Sequence, residues 1–560
     1  MTTLLTQVGE GWLHPERTPN GWKHVATFLI LSLVVCVGAL ALGPYPITKF
    51  PDDTLYFLTQ GDLLRKGYRP GVDYHTMHGP FPYLFTAAAM NVRGVSLEAV
   101  VLAQVLGAAA FGCMMFKIAS RRVSALWAVF LAIAVELILI SCTPVGSKTW
   151  REFTCAMWYN SMGYCIYAIV YLYLLVPARS PHPGKSTWVS DAVDSLIVAL
   201  LLAGCFLTKY SYFVPLAIVF FVGTIILPRA PCTRLRGMCI LPLAAAIAVG
   251  MISAMGGSLS VSSTLLHSLA LKTSPILPSF RFVHYTKTIS LFALGFFLAG
   301  WLAKELGVLR QITREGILVF LMFGSLLLAA SLSAQDMELL PLGGVLMLGL
   351  LTLIVTIGSN AGGQPNKYLL SIAMAVTTLL LVHEPKNSLL SWFFSHTTVA
   401  ITMRADVERY ELSQASLAGA MVAPDVDPAL FSYMPKAWMS GHLDALTLLK
   451  AANVTPDDVV FVASDVSPVN MLAGVKYPLG TVVWWPSSFI DVAKENQLIE
   501  KNLFSDVDFI LRDTDDRVYW EFLMFHRGEY FEQEFKPVAK DARWILYARK
   551  KASAPGSTGG

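Results

Sequence analysis

Residues 25–54 read VATFLILSLVVCVGALALGPYPITKFPDDT, a long apolar run that leads into two adjacent aspartates, Asp52 and Asp53. A membrane-spanning helix needs about 20 largely apolar residues, so residues 25–45 are predicted to form one span. The first 23 residues are polar, and no small-residue cleavage site follows the run. We therefore expect a retained anchor and not a signal peptide, with the acid pair just beyond it at the membrane surface.

The composition extends this prediction to most of the chain. Of its 560 residues, 55% are hydrophobic and only 14% are charged, with a net charge of +4. Soluble domains carry about 25% charged residues. The sequence therefore predicts a multi-span membrane protein and excludes a soluble cytosolic enzyme, a nucleic-acid binder, a disordered chain and a disulfide-stapled secreted module.

Eleven apolar runs are long enough to be candidate spans. They cover residues 25–45, 97–117, 123–142, 159–177, 190–208, 211–228, 238–256, 287–303, 316–333, 339–357 and 368–383. With the N-terminus in the cytoplasm, every predicted inner loop carries Lys or Arg, as the positive-inside rule requires. An odd number of spans leaves the C-terminal region outside, so we expect a bacterial inner (plasma) membrane protein with a periplasmic or extracellular C-terminal domain.

The charges divide the chain into two predicted parts. Residues 384–560 hold 17 basic and 23 acidic residues, whereas the much longer stretch 1–383 holds 25 and 15. We expect a membrane body over 1–383 and a water-soluble α/β domain over 384–560. All eight cysteines lie in the body. Cys142 and Cys155 flank one predicted outer loop, where a disulfide is one of two alternatives.

The first predicted outer loop, residues 46–96, is the most polar of the outer segments. Its acid pair opens a stretch from Leu55 to Lys66 with the apolar spacing of a helix lying along the membrane interface. Residues 67–80 follow and read GYRPGVDYHTMHGP, and a further apolar helix ends near Arg93. Two later stretches matter for the comparison below: LTK at 207–209 and QDMELLP at 335–341.

In these stretches the sequence resembles the polyprenyl-phosphate-dependent glycosyltransferases of the GT-C superfamily, in particular the protein O-mannosyltransferase and the lipid A aminoarabinose and galacturonic acid transferase group. The shared features are an acidic pair after the first span, a short helix, G-x-x-P-x-x-D-Y, H-G-P, a Thr-Lys after an apolar run and a late Leu-Pro. The resemblance implies a polytopic α-helical GT-C-like body with juxtamembrane helices. This chain has Asp-Asp where the best-known relatives have Asp-Glu, so the choice of base stays open.

The chemistry of such a transfer explains the acid pair. A carboxylate can take the proton of an acceptor hydroxyl or amine while the bond to the sugar's anomeric carbon forms. At least one of Asp52 and Asp53 is expected to be this base, and helix capping is the alternative role. The leaving phosphate needs cations at the membrane surface.

Further residues are candidates for binding the substrate. His75 and His78 are candidates for the sugar pocket, with an interfacial hydrogen-bonded role as the alternative, and so is Tyr74, although a turn with Asp73 is favoured there. The expected phosphate ligands and their neighbours are Lys148, Arg151, Lys209, Arg281, His284 and Lys287, with snorkelling to lipid headgroups as the alternative for Lys148 and Arg151. Lys209 lies between two apolar runs, where an isolated ammonium is costly.

The leading functional prediction is an inverting glycosyltransferase. It would move one sugar from a polyprenyl-phosphate donor to an extracytoplasmic glycolipid, polysaccharide or protein. The alternatives are a lipid or solute transporter or flippase with a periplasmic accessory domain, and a non-catalytic scaffold. The mechanism requires no cofactor, and the sequence has no Cys/His ligand set that indicates a divalent cation.

The C-terminal region has a pattern of short β-branched and aromatic runs. Predicted strands cover residues 459–463, 482–485, 508–511 and 544–547, with helical stretches over 443–450, 467–473 and 489–502. This alternation predicts a largely parallel sheet. We expect the domain to cover the active site or to help receive the acceptor.

Overall fold

The structure, a computed structural model, describes most of the chain. The described residues are 21–48, 51–75, 78–141, 153–155, 158–178, 188–226, 231–257, 279–332, 340–360, 366–396, 419–464, 467–479, 481–482 and 504–550. Everything below refers to these residues.

Each of the eleven predicted spans coincides with a helix. In chain order, with two helices of the first outer loop included, the long helices are α1 (Gly21–Leu42), α2 (Pro51–Arg65), α3 (Phe81–Arg93), α4 (Leu97–Ala119), α5 (Ala125–Leu139), α6 (Trp158–Leu175), α7 (Trp188–Phe206), α8 (Tyr210–Ile226), α9 (Pro231–Ala254), α10 (Ser279–Glu305), α11 (Thr313–Leu332), α12 (Leu340–Asn360) and α13 (Lys367–His396).

The chain is a multi-pass membrane protein. Within the described residues, five helices are long and apolar enough to cross a membrane: Trp22–Leu42, Leu97–Ala119, Trp188–Phe206, Leu235–Ala254 and Leu342–Ser359. Ala125–Leu139, Tyr210–Ile226 and Tyr368–Val382 are shorter apolar helices. The total of eleven spans and their orientation stay predictions.

Helix α6 is the centre of the body. All of its residues from Trp158 to Leu175 are buried. It packs against α4, α5, α7, α8, α11 and α12. Helix α1 is the opposite case, because most of its apolar side chains are exposed, for example Leu33 at 63%. An exposed apolar helix surface of this kind is suited to lipid.

A buried ion-pair cluster joins α7 to the loop that follows α4. Arg121 and Arg122 both donate to Asp194, each at 2.8 Å, and Arg121 also binds Asp191 at 2.6 Å. Arg236 on α9 contacts Asp191 at 2.7 Å. The arginines of two predicted inner loops are thus paired with carboxylates near the start of α7.

The C-terminal region forms a small α/β unit. Its helices are α14 (Ala429–Ser432), α15 (Lys436–Ala451), α16 (Val469–Ala473) and α17 (Arg517–Glu534). Its four-stranded sheet has the order β2 (Val460–Ala463), β4 (Phe509–Asp513), β6 (Trp544–Arg549), β5 (Phe535–Lys540). The pair β2–β4 is parallel, whereas β4–β6 and β5–β6 are antiparallel. The prediction of a largely parallel sheet was therefore wrong.

A second, two-stranded sheet links the C-terminal region to the first outer loop. Strand β1 (Tyr74–His75) pairs in parallel with β3 (Thr481–Val482). The predicted strand over 482–485 thus contributes its first residue to this contact and not to the main sheet. Residues 489–502, predicted to be helical, lie outside the described residues, as do Asp336 and Glu338 of the predicted late loop.

Helix α2 is buried along most of its length. Every residue from Thr54 to Leu63 is buried, including Gln60 and Asp62. The helix packs along α3, and Gly61 lets the two helices approach closely, because a Cβ there would meet Thr86 at 2.7 Å. The helix is thus enclosed by the protein, and its position along the membrane interface stays a prediction.

Candidate active site

The acid pair lies where three separate segments of the chain meet. The backbone N–H of Thr48 donates to the carbonyl of Phe153 at 2.9 Å, and the N–H of Phe153 donates back to the Thr48 hydroxyl at 2.8 Å. The N–H of Ile47 donates to the carbonyl of Tyr433 in the C-terminal region at 2.9 Å. Helix α2 begins just beyond, so both aspartates lie in its first turn, where the helix dipole favours negative charge.

Asp52 has a strong partner from the C-terminal region. The indole N–H of Trp438 on α15 donates to its Oδ1 at 2.6 Å. Burial raises the pKa of Asp52, while this hydrogen bond and the nearby guanidinium of Arg543 oppose the rise. The structure therefore gives Asp52 groups that favour its ionised form.

Asp53 lies in a different environment. Burial, together with the negative charge of Asp52, raises its pKa from 3.8 to about 6. A carboxylate in this range is ionised at neutral pH and still basic enough to accept a proton. The residue lies close enough to Tyr83 and Cys155 to act on them electrostatically.

Aromatic side chains of α2, α3 and α6 pack against one another next to the acid pair. Tyr56 lies edge-on to Tyr83 with the ring centres 5.8 Å apart, and edge-on to His78 at 6.0 Å. His78, only 2% exposed, stacks on Tyr159 of α6 at 4.0 Å. Phe57 stacks on the same Tyr159 at 6.1 Å. We call Tyr56, Phe57, His78, Tyr83 and Tyr159 the aromatic cluster.

Lys209 lies at the far side of the aromatic cluster. It is only 6% exposed, and its ammonium lies 5.1 Å from the ring centre of Tyr159 and 5.6 Å from that of Tyr212. Its Nζ also donates to Asn160 Oδ1 at 3.5 Å. The two rings and the amide stabilise this buried cation.

Backbone contacts join two of the sequence motifs. The N–H of Gly79 donates to the carbonyl of Thr208 at 3.0 Å, and that of Phe81 donates to the carbonyl of Leu207 at 3.1 Å. Gly79 is required here, because a Cβ would overlap the Leu207 carbonyl oxygen. The H-G-P and Thr-Lys stretches, far apart in sequence, therefore form one packed unit that brings His78 and Lys209 to the same ring.

The structure brings together some of the sequence-predicted site residues. His78 belongs to the aromatic cluster, and Asp52, Asp53 and Lys209 lie next to it. Tyr74 is fully buried in β1, and Asp73 binds the Arg69 guanidinium at 2.8 and 2.9 Å and accepts from the Arg69 N–H at 2.8 Å, which agrees with a structural turn. The backbone of His75 lies in β1, and Arg281, His284 and Lys287 lie on α10, but the structure describes none of these four side chains.

Two predicted phosphate ligands, Lys148 and Arg151, lie outside the described residues. Cys142 also lies outside them, and Cys155 is a buried free thiol. Among the described residues, no group of three or more His, Cys, Asp or Glu side chains has the arrangement of a metal site.

Sequence reasoning missed several residues of the site. Tyr159 and Asn160 could have been noticed as polar groups at the head of a predicted span. Tyr56 and Tyr83 have the spacing of ordinary helix core residues. For Trp438 and Arg543 no signal was available, because only the tertiary fold brings residues this distant in sequence to Asp52.

Comparisons with known proteins give similar solved structures. The apo and undecaprenyl-phosphate-bound structures of ArnT from Cupriavidus metallidurans match with 13% identity and a TM-score of 0.38, covering 94–95% of this chain and 98% of theirs. The oligosaccharyltransferase AglB from Archaeoglobus fulgidus, solved with an inhibitory peptide and a dolichol-phosphate, matches with 12% identity and a TM-score of 0.39, covering 95% of this chain and 75% of its own.

ArnT and AglB are both members of the GT-C superfamily. No family model matches the sequence. No curated protein matches it either.

Proposed function

We propose that the protein is an inverting glycosyltransferase that moves a sugar from a polyprenyl-phosphate donor to an acceptor outside the cytoplasm. The observation that carries this proposal is the acid pair at the start of α2. One of its carboxyls, Asp53, has a pKa raised to about 6, and both lie beside the aromatic cluster that leads to the buried cation Lys209. A candidate base on one side of these packed rings and a buried cation on the other suit this transfer.

The proposed step balances as follows. The acceptor oxygen or nitrogen bonds to the anomeric carbon as the bond from that carbon to the donor phosphate breaks. The acceptor proton passes to a carboxylate of the acid pair, and polyprenyl phosphate leaves with the bonding electrons. The attack comes from the face opposite the phosphate, so the anomeric configuration inverts.

The proposed donor pocket combines the aromatic rings of the cluster with the positive charge of Lys209. Tyr and His rings pack against the apolar faces of sugars. Lys209 offers a desolvated positive charge to the phosphate, whose negative charge grows during transfer. The remaining predicted ligands, Lys148, Arg151, Arg281, His284 and Lys287, with His75 and Tyr74, stay proposals for the donor and acceptor surfaces. The acceptor class, a glycolipid, a polysaccharide or a protein, and the periplasmic location of the C-terminal region belong to the same proposal.

The test is an assay of the purified protein with a panel of synthetic polyprenyl-phosphate hexoses and an envelope extract as acceptor. We expect polyprenyl phosphate to be released only when the acceptor is present. The double variant Asp52→Asn/Asp53→Asn should lose transfer while retaining its yield and elution volume. Uptake of the labelled hexose lipid into vesicles without cleavage, or full transfer by the double variant, would overturn the proposal.

A second arm of the same assay examines Lys209. Replacement by Met removes the charge and keeps the length of the side chain, so we expect donor binding to weaken by at least about tenfold, since a buried charged hydrogen bond contributes about 1.5–3 kcal/mol. The control is Lys476→Met, because Lys476 is half-exposed and pairs with the exposed Asp457. Binding of polyprenyl phosphate, followed by scintillation proximity, should change only in the first variant.

A further inference from the structure

One face of helix α15 in the C-terminal region contacts the acid pair. Trp438, Gly441 and His442 lie on the same face of α15, three and four residues apart. Trp438 donates to Asp52, and its ring lies 4.1 Å from that of His442. His442 is 2% exposed and packs towards Trp544, with the ring centres 6.3 Å apart. The contact with Asp52 is thus made by a helix that the sheet holds in position.

Arg543 is the second group that reaches Asp52, and it is fixed in place. Its guanidinium binds the buried Asp513 through Nε at 3.1 Å and Nη2 at 2.7 Å. It packs flat against Gly441, where a Cβ would overlap Nη1. The indole N–H of Trp544 donates to the Gly441 carbonyl at 2.6 Å and fastens the helix to the same strand end. The positive charge near Asp52 therefore cannot move away without breaking these contacts.

The two carboxyls of the pair consequently have unequal surroundings. Asp52 receives an N–H and faces a guanidinium. Asp53 is partly buried, and among the described residues the charge that acts on it is the negative charge of Asp52. Two adjacent carboxyls titrate as a coupled pair, and the first proton goes to the member whose charge is less stabilised. That member is Asp53.

We propose, on the basis of the proposed function, that Asp53 is the base that takes the acceptor proton and that Asp52 is a positioning residue, kept ionised by Trp438 and Arg543 of the C-terminal region. The C-terminal region is then a working part of the catalytic site, because it decides which aspartate carries the proton. Trp438 and Arg543 do not touch the reacting atoms and act through Asp52.

The other titratable groups around this contact do not compete for the proton. On the side of the C-terminal region, burial and the charge of Arg543 lower the pKa of His442 to about 3, so it stays neutral. Asp513 and Asp515 face Arg543 and not the acid pair. On the side of the body, Cys155 has a pKa raised by burial to about 12, and that of Tyr83 is raised well above 10.

The first test is the pH profile of kcat/KM for Trp438→Phe, which keeps the ring and removes the N–H donor. Asp52 then loses stabilisation of its charge, so the pair binds its first proton more readily and the acidic limb moves to higher pH. The matched control is Trp520→Phe, because Trp520 is buried in the separate cluster with Phe531 and Tyr547. An acidic limb that stays in place, with activity lowered equally at all pH values, would contradict the proposal.

The second test needs no activity. The protein labelled with 5-fluorotryptophan gives one ¹⁹F resonance that disappears in Trp438→Phe, which assigns Trp438. We expect this resonance to shift with pH in the wild type and to lose most of that shift in Asp52→Asn. A resonance that does not titrate contradicts the link to Asp52, whereas a titrating resonance in a protein without transferase activity retains the link and rejects the proposed function.

Discussion

The surroundings of Asp53 raise the pKa of its carboxyl group. A group with a raised pKa in the folded state binds its proton more tightly when folded than when unfolded. Its contribution to stability is therefore present at low pH and is lost as the pH rises through about 6, where the folded protein has to hold a buried charge. The raised pKa makes Asp53 a better proton acceptor, and it lowers the stability of the folded protein at neutral pH.

This cost gives a prediction for Asp53→Asn. At pH 8 the variant should unfold at a higher temperature than the wild type, with a gain on the order of 2–3 kcal/mol for a shift from 3.8 to about 6. At pH 3, below the unfolded pKa of 3.8, the two should differ little. Thermal unfolding in detergent at both pH values measures this. A variant that is equally or less stable at pH 8 would show that Asp53 is not strained by its charge.

Sequence reasoning was least complete for the contacts of individual side chains. Asp52, Asp53, His78 and Lys209 could be singled out, because charged or titratable side chains beside apolar runs need a reason. The partners that distinguish Asp52 from Asp53 could not, because Trp438 and Arg543 are ordinary residues of a helix and a strand end until the fold brings them to the pair.

At the level of elements, the predicted spans and the helices agree because periodicity and length carry that information. The burial of α2 was not predictable, since Gln60 and Asp62 give the helix a polar side that suggests an exposed surface. Asp62 is instead bound by Arg65 and Lys66, each at 2.8 Å. The sheet of the C-terminal region was predicted with the wrong pairing, because the short runs at 509–513 and 544–549 carry no signal of direction.

The contact between the segment that precedes α3 and the residues that follow α7 gives a second prediction. Gly79→Ala places a methyl group against the Leu207 carbonyl, so the H-G-P segment has to separate from the Thr-Lys segment. We expect a loss of about 1–3 kcal/mol in stability and displacement of His78 from Tyr159. Gly38→Ala in α1 is the control, because a Cβ there meets nothing within 4 Å. Fluorescence-detected size-exclusion chromatography after heating compares the two. Equal stability would mean that the backbone can yield at Gly79.

In the whole molecule, the C-terminal region is bound to the first outer loop at several separate points. Asp425 pairs with Arg65, and its carbonyl accepts from the Val95 N–H at 2.9 Å. The Tyr477 hydroxyl donates to Asp62 at 3.2 Å. Together with the β1–β3 pair and the Trp438 contact, these links bind the C-terminal region to the first outer loop.

Replacing Asp62 tests how strongly the C-terminal region is held to the first outer loop. Asp62 is fully buried, and Asp62→Asn removes the carboxylate that Arg65 and Lys66 share, although Arg65 keeps its pair with Asp425. The lost charged hydrogen bonds cost about 1.5–3 kcal/mol. We expect residues 419–482 to exchange amide hydrogens faster while α6 keeps its protection. Asp457→Asn is the control, since this carboxyl is 94% exposed. Unchanged exchange in 419–482 would show that the other links hold the C-terminal region without Asp62.

The parallel pairing of Tyr74–His75 with Thr481–Val482 has a consequence for biosynthesis. The ribosome makes the first strand several hundred residues before its partner. Until Trp438 has been made, Asp52 lacks its indole donor, and until Thr481 and Val482 follow, the first strand has an unpaired edge. The first outer loop therefore completes its contacts only after all the long helices of the body have been synthesised.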